Sequence, residues 1–389
     1  MNRKQFIMLL ALVVVAGAAG LVVNRHSQDA WRSGGAAIGQ KLLPNLAVND
    51  IAQIRVRTGT NELSVARRDN VWRVHERADY PANFSQIREL IMKLADLKIS
   101  QNEEVGPSQL GRFGLQPPGP ATNSGTQFEC RDAAGKSLAT LLLGKKHLRK
   151  PAAGSPYAGM GGDGWPDGRY VMPDAAGRAV ALISDPLDQI QPKPEQWLNK
   201  DFIHPEKPRA IAVQFPEATN SWRLTRASET NDWQLADPRS GEKLDPSKLY
   251  SVTSPFSSVS FNDVAPRGTN PPPSLTMVTV ETFDGFDYTA RIGPKDNDHY
   301  PVQVAVAATL ATERTPAKDE KADDKARLDK EFKEGQARLA DKLTREKQLE
   351  NWVYQLPAYN VDELLKLRSQ LLAEVSTNET AEAGDGLKR

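Results

Sequence analysis

Cysteine is almost missing from this chain: Cys130 is the only one in 389 residues. No internal disulfide can form, and no cysteine-based metal cluster can assemble. The fold must therefore rest on its apolar core, which a chain of this length can supply. Cys130 itself, in a strand-like stretch between Glu129 and Arg131, reads as a small buried side chain. An excess of one charge is missing too, since 50 Lys and Arg stand against 49 Asp and Glu, a formal net charge of +1. That balance supplies no long-range field for a phosphate backbone, so no nucleic-acid partner is expected. Histidine is scarce, with only His26, His75, His147, His204 and His299. None stands at a ligand spacing from another, and no H-E-x-x-H occurs. G-x-S-x-G and the phosphate loop are absent, and the glycines of 159–168 read as a hairpin loop, not as the strand–turn–helix of a Rossmann fingerprint. No catalytic residue, metal ligand or cofactor-binding residue is singled out, and a non-enzymatic protein without cofactor is the expectation. A hydrolase with an unfamiliar site ranks last among the readings.

What the chain does have is a long apolar run near its start. Phe6 to Val23 read FIMLLALVVVAGAAGLVV, with Arg3 and Lys4 ahead of them. The run is about long enough to cross a bilayer as a helix. Basic residues ahead of it favour the cytoplasmic side, which places the rest of the chain outside. The basic flank Asn24-Arg25-His26 argues the other way. A cleaved signal peptide competes with the anchor, because Ala16-Gly17-Ala18 has the small-residue pattern of a cleavage site. The uncleaved anchor, residues 1–26, is the reading carried forward. Residues 27–42, with Ser33, Gly34 and Gly35, read as a tether.

Beyond the tether the sequence repeats itself. The first copy has strand patterns at Ile54 to Arg57, Leu63 to Arg67 and Val71 to Val74, then a helix with Ile87, Leu90, Ile91, Leu94 and Leu97 at helical spacing. The second has them at Arg209 to Val213, Trp222 to Arg226 and Asp232 to Leu235. A helix starting at Asp245-Pro246-Ser247 follows, with Leu249, Val252 and Phe256, weakened by Ser and Thr. Trp72 matches Trp233, and Ile87 matches Leu249, at an almost constant offset. Later hairpins follow in each copy, at 126–144 and 275–293, and Trp197-Leu198 is set against Trp352-Val353. The predicted fold class is α+β: two similar domains of antiparallel strands with one packed helix each, after one N-terminal transmembrane helix. The domains are read as 43–205 and 206–374. The second carries a charged helical insert at about 314–350, read as solvated, with a thin stripe of Leu328, Phe332, Leu339 and Leu343. Residues 375–389 read as a disordered tail.

Candidate contact residues cluster in the first copy. Lys145-Lys146-His147-Leu148-Arg149-Lys150 is a short basic run beside the glycine-rich segment 159–168. Lys145, Lys146, Arg149, Lys150 and Trp165 are the candidates for a partner or ligand contact, with anionic lipid headgroups or a phosphorylated glycan as suitable chemistry. Asp163 and Asp167 are too few and too irregular for a calcium loop, so a hairpin loop is the reading there. Trp165, Trp197, Trp222, Trp233 and Trp352 would form a sugar-stacking surface if exposed; at regular strand positions tryptophan is usually core.

Several short patterns then point to a family. Leu43-Pro44-Asn45-Leu46, Trp72, Asp79-Tyr80-Pro81-Ala82, Phe113-Gly114-Leu115 with Pro117, and Trp197-Leu198-Asn199-Lys200-Asp201 resemble the domain-of-unknown-function 4340 family. The resemblance covers most of residues 43–310. It implies a membrane-anchored bacterial envelope protein; with the apolar run read as the anchor, the expected location is the bacterial inner membrane, single-pass, with the C-terminal part in the periplasm. It also implies association with gliding-motility-type ABC transporters, and so the ABC permease and the extracytoplasmic auxiliary subunit as partners. No catalytic residues come with it. The expected function is a non-enzymatic extracytoplasmic accessory subunit of an ABC-type membrane transport complex. The alternative is a periplasmic binding module for an envelope glycan or lipid.

Overall fold

A computed structural model describes residues 38–149, 164–173, 179–268, 276–316 and 320–374. The apolar run 6–23, the tether up to residue 37, and the tail 375–389 lie outside the described residues. Among the described residues no helix is long and apolar enough to cross a membrane. The chain divides into two compact units between Asn199 and Lys200, a few residues ahead of the boundary read from the sequence.

The first unit begins with a meander. Strands β1 (Gln53–Thr58), β2 (Asn61–Arg68) and β3 (Val71–Val74) alternate. Ile54, Val56, Leu63, Val65, Trp72 and Val74 are buried. Asp69 and Asn70 join β2 to β3 with φ of 50° and 61°. Short polar side chains tolerate these primed-turn angles, and the turn's twist matches the strands. A short β4 (Tyr80–Pro81) leads into helix α1 (Phe84–Asp96). The Asn83 side chain caps the helix by accepting from the Gln86 N–H. Ile87, Leu90, Ile91 and Leu94 turn into the core, and each burial stabilises the unit by roughly 1.5–3 kcal/mol. The remaining strands are β5 (Ile99–Glu104), β6 (Thr126–Arg131), β7 (Ser137–Arg149), β8 (Trp165–Pro173) and β9 (Ala179–Ile183). They form one sheet in the order β4-β3-β2-β1-β6-β7-β8-β9-β5.

The second unit contains β10 (Pro208–Gln214), β11 (Trp222–Thr225), β12 (Gln234–Leu235), helix α2 (Pro246–Leu249) and β13 (Asp263–Pro266). It continues through β14 (Thr276–Thr282), β15 (Phe286–Ile292), β16 (His299–Ala308), helix α3 (Ala322–Lys347), β17 (Trp352–Pro357) and helix α4 (Ala358–Val361). Its sheet order is β12-β11-β10-β14-β15-β16-β17-β13. Strand for strand this is the order of the first unit, with β4 alone lacking a counterpart among the described residues. Every strand pair in both sheets is antiparallel.

The two units also close in the same way. In the first, Leu198 bridges Ala82, the Asn83 N–H donates to the Trp197 carbonyl at 2.8 Å, and the Asn199 N–H donates to the Pro81 carbonyl at 2.9 Å. In the second, Leu372 bridges Leu244, the Asp245 N–H donates to the Leu371 carbonyl at 3.0 Å, and the Ala373 N–H donates to the Lys243 carbonyl at 2.8 Å. Asn83 and Asp245 are both helix caps. The last segment of each unit is thus pinned to the helix entrance.

Two sequence expectations need correction. Trp197 does not correspond to Trp352: Trp352 opens β17, whose counterpart is β9, and the position equivalent to Trp197 is Leu371. The inserted helix displaced the alignment: it lengthens the β16–β17 connection and pushes the closing segment downstream. The second unit's helix is also only four residues long. Ser251, Thr253 and Ser254 follow it, and such side chains compete for the backbone hydrogen bonds a longer helix needs.

The inserted helix α3 spans 26 residues. Its outer surface is charged, while Leu328, Phe332, Leu339 and Leu343 are half-buried. Its C-terminal end is tied down by Glu346, which is buried and accepts from the Tyr288 hydroxyl at 2.8 Å and the His204 N–H at 3.1 Å. Burial raises the Glu346 carboxyl above its ordinary value despite those two donors.

Candidate functional site

The basic run read from the sequence falls at the end of β7. The β6 ladder stops at Thr126 opposite Leu143, and the β9 ladder reaches only Arg169 opposite Ile183. Beyond these points β7 and β8 pair with each other alone, through His147 with Gly168, Leu148 with Pro166, and Arg149 with Trp165. The outer half of this hairpin is a two-stranded arm standing off the edge of the sheet's hydrogen-bonded body.

An isolated two-stranded ribbon is marginal in water, so the arm needs fixing at its root. Arg169 does part of this. Its Nε donates to the Gly144 carbonyl at 2.9 Å, and another guanidinium nitrogen reaches the Pro186 carbonyl at 3.2 Å. Burial lowers the Arg169 pKa below the ordinary guanidinium value. His147 Nδ1 lies 2.6 Å from Asp167 Oδ1, and Lys146 Nζ lies 2.5 Å from Asp188 Oδ1. Tyr170 packs edge-on against Phe113, with ring centroids 4.9 Å apart.

Two glycines let the backbones meet at that root. A Cβ at Gly144 would overlap the Phe113 carbonyl oxygen, and one at Gly168 would overlap the Ile183 carbonyl oxygen. Gly144→Val is therefore expected to destabilise the first unit by about 1–3 kcal/mol, the scale of overpacking. Urea denaturation checks this as a lowered midpoint.

Of the five candidate residues, Lys145, Lys146, Arg149 and Trp165 come together on the arm, and Lys150 lies outside the described residues. Arg149 and Trp165 are direct cross-strand partners, so they share one face. Trp165 is 50% exposed and Leu148 is 44% exposed. Lys145 and Arg149 make no ion pair among the described residues, whereas Lys146 is engaged by Asp188. Asp167 is engaged by His147. The sequence offered no signal for Arg169, Asp188 or the two root glycines, because their partners are distant along the chain.

The other tryptophans do not gather into a stacking surface. Trp72, Trp197 and Trp222 are buried. The Trp197 indole N–H donates to the Gln191 carbonyl at 3.0 Å, and that of Trp222 to the Lys366 carbonyl at 2.7 Å. Trp233 and Trp352 are half-buried.

Among the described residues no group of three or more His, Cys, Asp or Glu is placed to hold a metal ion. Burial pushes the Cys130 thiol up to about 12, which keeps it protonated and weakly nucleophilic near neutral pH. In the second unit a recess of about 540 Å³ is lined by Asn262, Lys295, His299 and Asp362. Asp362 accepts from the Tyr300 hydroxyl at 2.6 Å and from Lys295 at 3.2 Å. Burial, then the Asp362 hydrogen bond, pushes the Tyr300 phenol up to about 12, away from the range a general base needs at neutral pH.

Fold and arm together define a mixed α/β protein of two antiparallel sheets with few helices, displaying a cationic, aromatic hairpin. The family model of a domain of unknown function (DUF4340) matches residues 72–153. That stretch includes Trp72, helix α1 and the basic end of β7, and it supports the resemblance to this family. No curated protein and no solved structure matches the chain.

Proposed function

We propose that this is a non-enzymatic binding protein that works through protein–protein contacts, with the β7–β8 arm as its contact surface. Its partners are the permease and extracytoplasmic auxiliary subunit of an ABC-type transport complex at the bacterial inner membrane. The observation that carries the reading is Trp165 standing exposed beside Arg149 on a hairpin whose root is pinned. An exposed tryptophan beside an arginine on one face is the composition of interface hot spots. A pinned root keeps the ordering cost of docking low. The family resemblance supplies the choice of partner.

The test is affinity purification of the full chain from native membranes in mild detergent, with mass spectrometry of what accompanies it. Permease and ATPase subunits are expected in fixed ratio with the unaltered chain. They should be depleted by about tenfold or more with Trp165→Ala/Arg149→Glu, a loss of hot-spot size. Equal recovery with the variant would remove the arm from the contact. Recovery of the chain alone, with a glycan or lipid bound, would favour the ligand-binding module instead, since Trp165 and the arm cations suit that chemistry as well.

A further inference from the structure

A second surface of the first unit has no role in the arm. Where helix α1 crosses the turn end of β2 and β3, a groove of about 200 Å³ opens at the rim of the core. Its floor is apolar, made by Trp72, Ile87 and Ile91. Phe84 and Met92 stand over it on α1, 59% and 51% exposed, two turns apart on the same helix face. Arg88 lies between them, and Arg67 lines the groove from the strand side, directly opposite Trp72. Both arginines are exposed. Neither makes a side-chain hydrogen bond or ion pair among the described residues, and among the groove's lining residues there is no carboxylate.

The duplicated unit supplies an internal comparison. Arg226 and Trp233 continue the β11–β12 register by one step and stand where Arg67 and Trp72 stand. There the arginine is consumed: Nε donates to the Pro208 carbonyl and another guanidinium nitrogen to the Glu229 carbonyl, both at 2.8 Å, with the group 4.8 Å from the Trp233 ring centroid. That recess also carries the carboxylates of Asp232 and Glu242. Only the first unit keeps an apolar floor between two unspent cations.

We infer that the α1 groove of the first unit is a docking site for an acidic amphipathic helix of a protein partner. One bulky aliphatic side chain would enter over Trp72, and flanking carboxylates would meet Arg67 and Arg88. Charge complementarity selects the acidic partner. Size selects the class, because about 200 Å³ is below the roughly 300–1,000 Å³ of small-molecule sites and suits a single anchoring side chain. The exposed Phe84 and Met92 would become the apolar walls of a helix-in-groove contact.

Fluorescence anisotropy tests this with the full chain in detergent and a labelled peptide of Leu and Glu at helical spacing. The same peptide with Lys replacing Glu is the comparison. The acidic peptide is expected to bind at least about tenfold more tightly than the basic one. Arg67→Glu/Arg88→Glu, and separately Phe84→Ser, should each weaken it by about tenfold or more at an unchanged thermal midpoint. Arg67→Gln/Arg88→Gln, milder at these exposed positions, should fall in between. No binding of the acidic peptide, equal binding of both peptides, or indifference to these variants overturns the inference. So does a loss that follows Trp165→Ala instead, which would make the arm the acceptor. Phosphatidylglycerol vesicles that bind through Arg67 and Arg88 while the acidic peptide does not would assign the groove to a lipid surface and also overturn it.

Discussion

Trp197→Ala is expected to destabilise the first unit by about 3–5 kcal/mol, the range for truncating a buried tryptophan. Trp197 is 1% exposed. It fills the closing segment of the unit, its indole N–H is held by the Gln191 carbonyl, and its own carbonyl receives the Asn83 N–H. Truncation opens a cavity and loosens the segment that pins the entrance of helix α1. The loss would show as a lowered urea midpoint. It would also show as faster hydrogen exchange at the Asn83 and Asn199 amides, both of which bond to that closure. Trp197→Phe keeps most of the volume and should cost clearly less. A Trp197→Ala midpoint within error of the unaltered chain would mean that the closure contributes nothing to stability.

Arg368→Ala is expected to have an effect of similar size in the second unit, by a different mechanism. Arg368 is 2% exposed. It grips Glu242 through two bonds, at 3.0 and 2.7 Å, and also reaches the Asp237 carbonyl at 2.7 Å. Arg368 is buried and Glu242 half-buried, so removing the arginine leaves the carboxylate and the Asp237 carbonyl unpaired at a cost of about 3 kcal/mol, the low end of the range for a buried pair. Replacing both, as in Arg368→Met/Glu242→Met, should cost much less than the sum of the two single changes, and a double-mutant cycle measures that difference. The pair also sets a pH dependence. The Arg368 hydrogen bond holds the Glu242 carboxyl down at about 2, against an ordinary value of 4.5. A lowered carboxylate pKa stabilises the folded state at pH above the ordinary value. That contribution is lost progressively as pH falls from 4.5 towards 2. Arg368→Ala should flatten the acid limb of the stability curve in that window; an unchanged limb would separate Glu242 from the pair.

Both closures lie in segments whose importance is hard to read from sequence. Trp197 stands out as an aromatic, but nothing nearby says that it meets Asn83 more than a hundred positions earlier. Arg368 sits among leucines, between Leu367 and Leu371, and nothing in the sequence says that it meets Glu242 far upstream. The central strands were legible because one face of each is buried: Ile54 and Val56, or Val278 and Val280, alternate with half-buried positions. The edge strands were not. In β5, Ile-Ser-Gln-Asn-Glu-Glu, no residue is buried, and β13 ends in a proline. Edge strands carry polar residues and proline to discourage further pairing, which erases the pattern that marks a strand. The same limit applies to the arm. Its cations and Trp165 could be picked out as residue types, but the pinned root depends on Gly144, Gly168 and Arg169 meeting backbone from elsewhere in the unit.

The arm and the inserted helix occur at neighbouring hairpins of one repeated plan, β7–β8 in the first unit and β16–β17 in the second. Each lengthens a connection between strands that already lie side by side. Closing a longer loop costs only a logarithmic increment in entropy, about 0.6 kcal/mol per doubling, and the strand order is untouched. The duplicated sheet is therefore a frame on which the two copies acquire separate surfaces by editing hairpin ends. Divergence between them can proceed there without reopening either core.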